Sequence, residues 1–244
     1  MDKAEIGPGN RVIDIGCGFG TTTYEIARRV GPTGQVIGID FSEPMIAEAE
    51  RRRSPELDTG TDVTFIVADI QSHAFEAGWA DVMFSRYGVM FYDDPVKAFS
   101  NMRTGLRSGG RIAFVCWRAA QDNPWMSKPM KIAREFIEMP PPPGPEEPGI
   151  FGFADQQRVQ AILEAADFTE IDLQPLDLFV KVGATIDTAV KNAMTVAPWA
   201  ALLADQDAPT LTNIGDAIAN IFADYESADG VIIPAASWLA SAVA

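Results

Sequence analysis

The chain has 244 residues, 47% of them apolar, enough to bury a full core in one domain or in one domain with a lid. Nineteen basic residues stand against thirty-four acidic ones, and the net charge of -15 repels phosphate backbones and anionic membrane surfaces, which argues against nucleic acid as a partner. No apolar stretch reaches the roughly 18 to 20 residues that cross a bilayer, and the start lacks the basic and apolar regions of a signal peptide, so a cytoplasmic chain without membrane insertion is expected. Cys17 and Cys116 lie far apart and are expected as free thiols with no metal site.

From Arg11 to Trp117 short apolar runs alternate with helical patterns. Strands are expected at Arg11 to Ile15, Gln35 to Ile39, Val63 to Ala68, Ala80 to Ser85 and Arg111 to Trp117; their Val, Ile and Phe content without clean alternation suits strands covered on both faces. Ser42 precedes a helix with Pro44 in its first turn and Arg51, Arg52 and Arg53 at its solvated end. Asp94 caps another helix that has Pro95 in its first position. Val96, Phe99, Met102 and Leu106 fall on one face, Arg103 and Arg107 lie near the end, and Gly109-Gly110 is the expected stop.

After Trp117 the pattern changes. A helical stretch from Trp125 to Glu138 runs into a proline-rich loop, Met139 to Gly149. Asp155 to Ala166 reads as a helix, and Thr169 to Val182 as a strand interrupted at Pro175. Thr185 to Ser227 is helical in tendency, broken by Pro198 and Pro209, and Gly230 to Ala242 is a last strand. The expected fold is α/β, a Rossmann-like, doubly wound, seven-stranded and mostly parallel sheet. One domain is expected over 1-244, with a core of 10-118, 155-183 and 229-244. Segments 119-154 and 184-228 are expected to form a helical substrate cover.

The chemistry is concentrated in Val12-Ile-Asp-Ile-Gly-Cys-Gly-Phe-Gly20, an apolar run that ends in glycines at alternate positions, where backbone must turn sharply and approach a ligand. Gly16, Gly18 and Gly20 occur in both dinucleotide-binding and S-adenosylmethionine-binding loops; the dinucleotide fingerprint wants a glycine at 21, which is Thr21. Asp40, at the end of the second strand, suits ribose hydroxyls in either fold. Asp14, an acid inside the first strand, needs a nearby donor, and Asp69 after the third strand suits an adenine amino group.

Five stretches in order resemble class I S-adenosylmethionine-dependent methyltransferases of the small-molecule type 11 group, which includes ubiquinone and menaquinone biosynthesis enzymes. They are Val12 to Gly20, Gly38-Ile-Asp-Phe-Ser-Glu-Pro-Met45, Ala68-Asp-Ile70, Ala80-Asp-Val-Met-Phe-Ser-Arg86 and Leu106-Arg-Ser-Gly-Gly-Arg-Ile112. Phe84 to Phe91, Val115 to Arg118 and Asn123-Pro-Trp125 are similar to a bacterial subgroup of these proteins. The resemblance implies S-adenosyl-L-methionine as cofactor. It implies Asp14 near the methionine amino group, Gly16, Cys17, Gly18 and Gly20 against the cofactor backbone, and Asp40 on the ribose. Phe41 and Met45 pack near adenine, Asp69 and Ile70 bind its edge, and Ser85 and Arg86 face the methionine part and the acceptor. The chain departs from the group in carrying ten residues before the first strand, where such enzymes usually have a helical segment that helps to close the cofactor site.

Methyl transfer from a sulfonium needs positioning first and a base only where the acceptor loses a proton. The catalytic residues stay unassigned, with His73, the one histidine, as a candidate base and Arg86 as a clamp for an acidic acceptor. Trp117, Trp125, Trp199, Phe151 and Phe153 are available to line an apolar acceptor pocket. No Asn/Asp-Pro-Pro-Tyr/Phe follows the fourth strand, which disfavours amino methylation of bases, and two cysteines are too few for arsenite methylation. The expectation is methyl transfer to a small organic acceptor, O- or C-methylation ahead of N-methylation. A nicotinamide-dependent reductase and a catalytically silent S-adenosylmethionine-binding module are the alternatives; Tyr24, Tyr87, Tyr92 and Tyr225 lack the lysine four residues on that a reductase pair requires. A homodimer is compatible with the sequence.

Overall fold

A computed structural model describes residues 1-54, 59-144, 146-195 and 199-244. In chain order the elements are β1 (Arg11–Ile15), α1 (Thr21–Val30), β2 (Gln35–Asp40), α2 (Glu43–Arg51), β3 (Asp62–Val67), β4 (Ala80–Arg86), α3 (Pro95–Gly105) and β5 (Leu106–Trp117). Then follow α4 (Pro124–Phe136), α5 (Gln156–Ala165), β6 (Thr169–Gly183), α6 (Ile186–Thr195), α7 (Ala200–Ala204), α8 (Ala208–Ala223), β7 (Glu226–Ser227) and β8 (Gly230–Val243). Seven strands follow one path, β3-β2-β1-β4-β5-β8-β6, and β7 pairs with β8 off that path. The pairings among β1 to β5 are all parallel. Strand order reverses between β1 and β4, and crevices at the carboxyl ends of strands flanking such a reversal are where open α/β sheets bind ligands.

The chain forms two compact units. The first comprises residues 1-117, 144-175 and 238-244, and its apolar strands bury Val12, Val36, Val82, Phe84 and Ala113 against Ile26, Ala27 and Val30 of α1. The second comprises 118-143 and 176-237 and has its own core, in which Trp199, Ile214, Ile218, Phe222, Val231 and Ile233 are buried. Residues 144-154 thus fall with the sheet unit, and 176-183 and 229-237 with the second unit. Among the described residues no helix is long and apolar enough to cross a membrane.

Local signals explain most element ends. Asp94, Asp155 and Asp207 each cap a helix, accepting from the amides of Lys97, Gln157 and Thr210. Pro209 opens α8 in its first turn instead of breaking a helix, while Pro198 lies outside the described residues. Pro175 leaves β6 continuous, because β6 ends the strand order and an edge strand tolerates a missing donor. The three arginines at the end of α2 are a solvated end: Arg51 and Arg52 pair with Glu48, and Arg53 donates to the Val63 carbonyl.

The end of α3 differs from the pattern. The helix stops at Gly105, and Leu106 already pairs with Ala80, so Leu106 belongs to the sheet. A Cβ on Gly105 would meet Met83 Cε at 2.8 Å, a tight approach that lets the chain turn into β5 at once. The register then jumps from Ala80/Leu106 to Val82/Arg111, absorbing Gly109 at φ 71° in a bulge. Arg107 therefore leaves the helix end and donates to Asp81 at 2.7 Å.

Candidate functional site

All the residues singled out around the glycine loop lie in the sheet unit. After β1 the amides of Gly16 and Cys17 both donate to the Ile39 carbonyl, at 2.8 and 3.1 Å, which hooks the loop onto the end of β2. Gly16, Gly18 and Gly20 have φ of 65°, 53° and 74°, the left-handed region that favours glycine. Their surroundings differ. A Cβ on Gly16 would strike Gly88 Cα at 2.7 Å; one on Gly20, where α1 begins, would strike Phe65 Cζ at 2.9 Å; one on Gly18 would meet nothing nearer than Met45 Sδ at 3.9 Å. Gly16 therefore serves a backbone crossing, Gly20 serves core packing, and Gly18 presents open backbone.

Asp14 is buried, and its Oδ2 accepts from Thr23 Oγ1 at 2.7 Å, a donor supplied by the first turn of α1. Its Oδ1 has no hydrogen-bond partner among the described residues. Burial pushes the carboxyl up to about 7; the Thr23 hydrogen bond and the Arg86 charge pull it down, and the Asp40 charge pushes it up. A buried acceptor left open in this way is expensive unless something supplies a donor.

Asp40 closes the other side. Its Oδ2 accepts from the Gly18 amide and its Oδ1 from the Ser42 amide, both at 2.9 Å, so one carboxylate ties the glycine loop to the start of α2. Each oxygen retains capacity for a further bond. Phe41, next in the chain, is 77% exposed, and Met45 is 37% exposed, so neither is a core residue. Asp69 is exposed and its Oδ1 accepts from the Gln71 amide at 2.9 Å, while Ile70 beside it is buried.

The crossing at Gly88 is fastened by Ser85. Its buried hydroxyl donates to the Ile15 carbonyl at 2.7 Å and accepts from the Gly88 amide at 3.2 Å. Arg86 follows, exposed, with its charge acting on Asp14. Tyr87 has φ 63°, rare for a residue with a side chain, and its ring stacks on Trp117 with centroids 3.9 Å apart and planes 7° from parallel. Tyr92, which the pattern does not single out, has a phenol raised above its ordinary pKa by burial and by the charges of Asp69 and Asp40.

Other expected residues lie elsewhere. His73 sits in the turn after Asp69, its amide donating to the Asp69 carbonyl at 2.8 Å and its ring edge-on to Phe75. Asn101 Nδ2 donates to both the Ile70 and His73 carbonyls, which fixes that turn. Cys17 is buried with Tyr24, Ile46, Ala49 and Phe65, and burial with the Asp14 and Asp40 charges pushes its thiol up. Cys116 is likewise buried and pushed up to about 12 by burial; both thiols are free. Of the five aromatics expected around an acceptor, Phe153 packs with Phe99 and Phe114 in the core of the sheet unit, Trp117 and Phe151 also belong to that unit, and Trp125 and Trp199 belong to the second. Thr23 and Gly88 also escape the sequence reading, because a helical threonine and a loop glycine carry no local mark of what they face.

The pattern of a methyltransferase domain matches residues 6-167, which covers β1 to α5 and every loop described above. The chain belongs to this methyltransferase-domain family. Among curated proteins, aklanonic acid methyltransferase DauC of Streptomyces sp. (strain C5) is 38% identical over 114 residues, 47% of this chain and 51% of that protein. Demethylmenaquinone methyltransferase of Lactococcus lactis subsp. lactis is 31% identical over 107 residues, 44% of this chain and 42% of that protein. The chain thus spans about half the length of the curated relatives it matches. The crystal structure of the YcgJ protein from Bacillus subtilis superimposes with a TM-score of 0.62 over 99% of this methyltransferase-domain chain and 94% of YcgJ, at 18% identity, a likeness of fold.

Proposed function

We propose that this chain transfers a methyl group from S-adenosylmethionine to a small organic acceptor. The observation that carries the reading is the buried Asp14 Oδ1, which has no donor among the described residues, beside a loop whose Gly18 leaves open backbone. The residues fit the cofactor. An ammonium supplies the donor that Asp14 lacks, vicinal ribose hydroxyls match the acceptor capacity left on Asp40, and exposed Phe41 and Met45 offer apolar faces to a purine. Asp69 and Ile70 take its edge, and the Arg86 guanidinium faces a carboxylate at the methionine end.

When bound, S-adenosylmethionine supplies an electrophilic methyl on a sulfonium. The chain's own part is to bind and orient: Ser85 and Gly88 hold the loop, Asp14 would hold the methionine end and Asp40 the ribose, and Arg86 would set charge at the methionine end. Orientation of this kind is worth on the order of 7 to 11 kcal/mol of barrier. His73 is tied into the turn beside Asp69, on the purine side, so no base is assigned to it.

The relatives named for aklanonic acid and demethylmenaquinone support a small organic acceptor, for which O- or C-methylation is our reading, and the missing Asn/Asp-Pro-Pro-Tyr/Phe speaks against amino methylation of bases. We assign acceptor choice to the second unit and the enzyme to the cytoplasm, and the net charge of -15 supports an enzyme that does not act on nucleic acid. Whether two copies associate is read by light scattering.

Calorimetry with S-adenosylmethionine and S-adenosylhomocysteine tests the donor, with micromolar affinity expected and none for NADH. Transfer of a labelled methyl group to a panel of phenols, quinols and carboxylic acids tests the reaction. Failure to bind either sulfur nucleoside overturns the reading, and binding without turnover on any acceptor makes the chain a silent module.

A further inference from the structure

The second unit holds a cavity of about 170 Å³ that is partly open to solvent. Trp125 and Pro129 of α4, Val182 of β6, Ala193 of α6, Trp199 just before α7, and Phe222 of α8 form most of its wall, and almost all of the surface facing the void is apolar. Pro129 brings no amide donor, and the side-chain amide of Asn192, also in the lining, donates to the Val182 carbonyl at 2.8 Å. The indole N–H of Trp125 donates to Asn123 Oδ1 at 3.2 Å.

Water is a poor occupant here, because a buried water needs two to four polar partners. A void with apolar walls also forfeits dispersion contacts, which is why emptied cores are destabilised. The volume is close to that of a dry engineered cavity, about 150 Å³, that takes up benzene. Much of the wall is preformed: Trp199 and Phe222 are buried in the core of this unit, and Met126 and Pro129 are buried on α4.

We propose that this cavity is a binding site for a small apolar molecule, a single aromatic ring or a short alkyl group. The proposal rests on the second unit alone and does not depend on the methyl-donor reading. Two sources share the chemistry, the apolar part of a methyl acceptor and an independent apolar metabolite.

Toluene titrated into the full chain, followed by tryptophan emission, is expected to give a saturable change, since Trp125 and Trp199 are in the wall. Ala193→Phe projects a ring from α6 into the void and is expected to weaken the response at least tenfold, while circular dichroism and S-adenosylhomocysteine affinity stay as in the parent. Crystals of the unaltered protein under xenon pressure are expected to show xenon in the cavity, a readout that does not depend on the variant folding. Absence of xenon there, or a toluene response that folded Ala193→Phe retains, overturns the proposal. Toluene that competes with the acceptor during methyl transfer assigns the cavity to the acceptor, and toluene that binds without changing turnover assigns it to an independent molecule; both uphold the site. Loss of sulfur-nucleoside binding alone would sink the methyl-donor reading and leave this one standing.

Discussion

Gly16 and Gly88 cross backbone to backbone, so that a Cβ on Gly88 would lie 2.8 Å from Gly16 Cα and 2.7 Å from the Ile15 carbonyl oxygen. Gly88 has φ -96°, which alanine adopts readily, so Gly88→Ala acts through the clash alone. A cost of about 1 to 3 kcal/mol in urea unfolding is expected, together with at least tenfold weaker S-adenosylhomocysteine binding as the loop is pushed aside. Gly18→Ala separates the two effects. Its Cβ has room but its φ is 53°, so roughly 1 to 2 kcal/mol of stability is lost, while affinity falls further because the added methyl occupies the open face. A Gly88→Ala protein as stable and as tight as the parent would remove the crossing as the feature that shapes the loop.

Asp14 makes binding depend on pH. Its ordinary value is 3.8 and burial raises it to about 7, so the cost of ionising it accumulates as pH rises between those values; unliganded stability falls through that window and is level above it. A bound ammonium favours the carboxylate and pulls the pKa down. Cofactor affinity is therefore expected to rise as pH climbs toward about 7 and then level, with proton release on binding below it. Calorimetry at about pH 6 in two buffers of different ionisation heat measures that proton, and Asp14→Asn should abolish it. Affinity that does not change from about pH 5.5 to 8 would refute the assignment.

Asp40 has a structural duty beside the proposed ribose contact, because Gly18 and Ser42 both donate to it. Asp40→Ala is expected to lose about 1 to 3 kcal/mol of stability along with at least tenfold in affinity. Asp40→Asn keeps an acceptor for one amide and should recover part of the stability but less of the affinity. Equal recovery of both, in paired denaturation and titration experiments, would mean that Asp40 acts only by holding the loop.

Phe41 gives the opposite pattern. At 77% exposure it adds little to folding, so Phe41→Ser should change unfolding free energy by no more than about 0.5 kcal/mol. The same substitution is expected to weaken S-adenosylhomocysteine binding several-fold by removing an apolar face for the purine. Unaltered affinity would take Phe41 out of the site.

Arg107 bears on stability alone. Its guanidinium reaches Asp81 at 2.7 Å from a half-exposed position, so Arg107→Ala should cost no more than about 1 kcal/mol and leave cofactor affinity unchanged. A larger loss in thermal unfolding would mean that the bulge in β5 needs the pair to form.

The sequence by itself determined the sheet and the place of the loop. Val12 to Ile15 and Gln35 to Ile39 are runs whose apolar residues become strands because both faces are covered, and Asp94 with Pro95 starts α3 through purely local bonds. Such features depend on neighbours within a few residues, so their signals are written in adjacent positions. What each loop residue does was decided by contacts across the chain. Gly16 and Gly20 look alike in sequence, yet one meets Gly88 and the other Phe65, and only Gly18 between them is left open. Asp14 becomes a buried acid with one oxygen open because Thr23 satisfies only the other, and Leu106 leaves its helical pattern because Ala80 pairs with it. The cavity draws on residues from Trp125 to Phe222, whose apolar character announces burial but not that the helices carrying them leave a space between them. Periodicity reports which side of an element is apolar; how closely that side packs depends on the partner brought to it by tertiary folding.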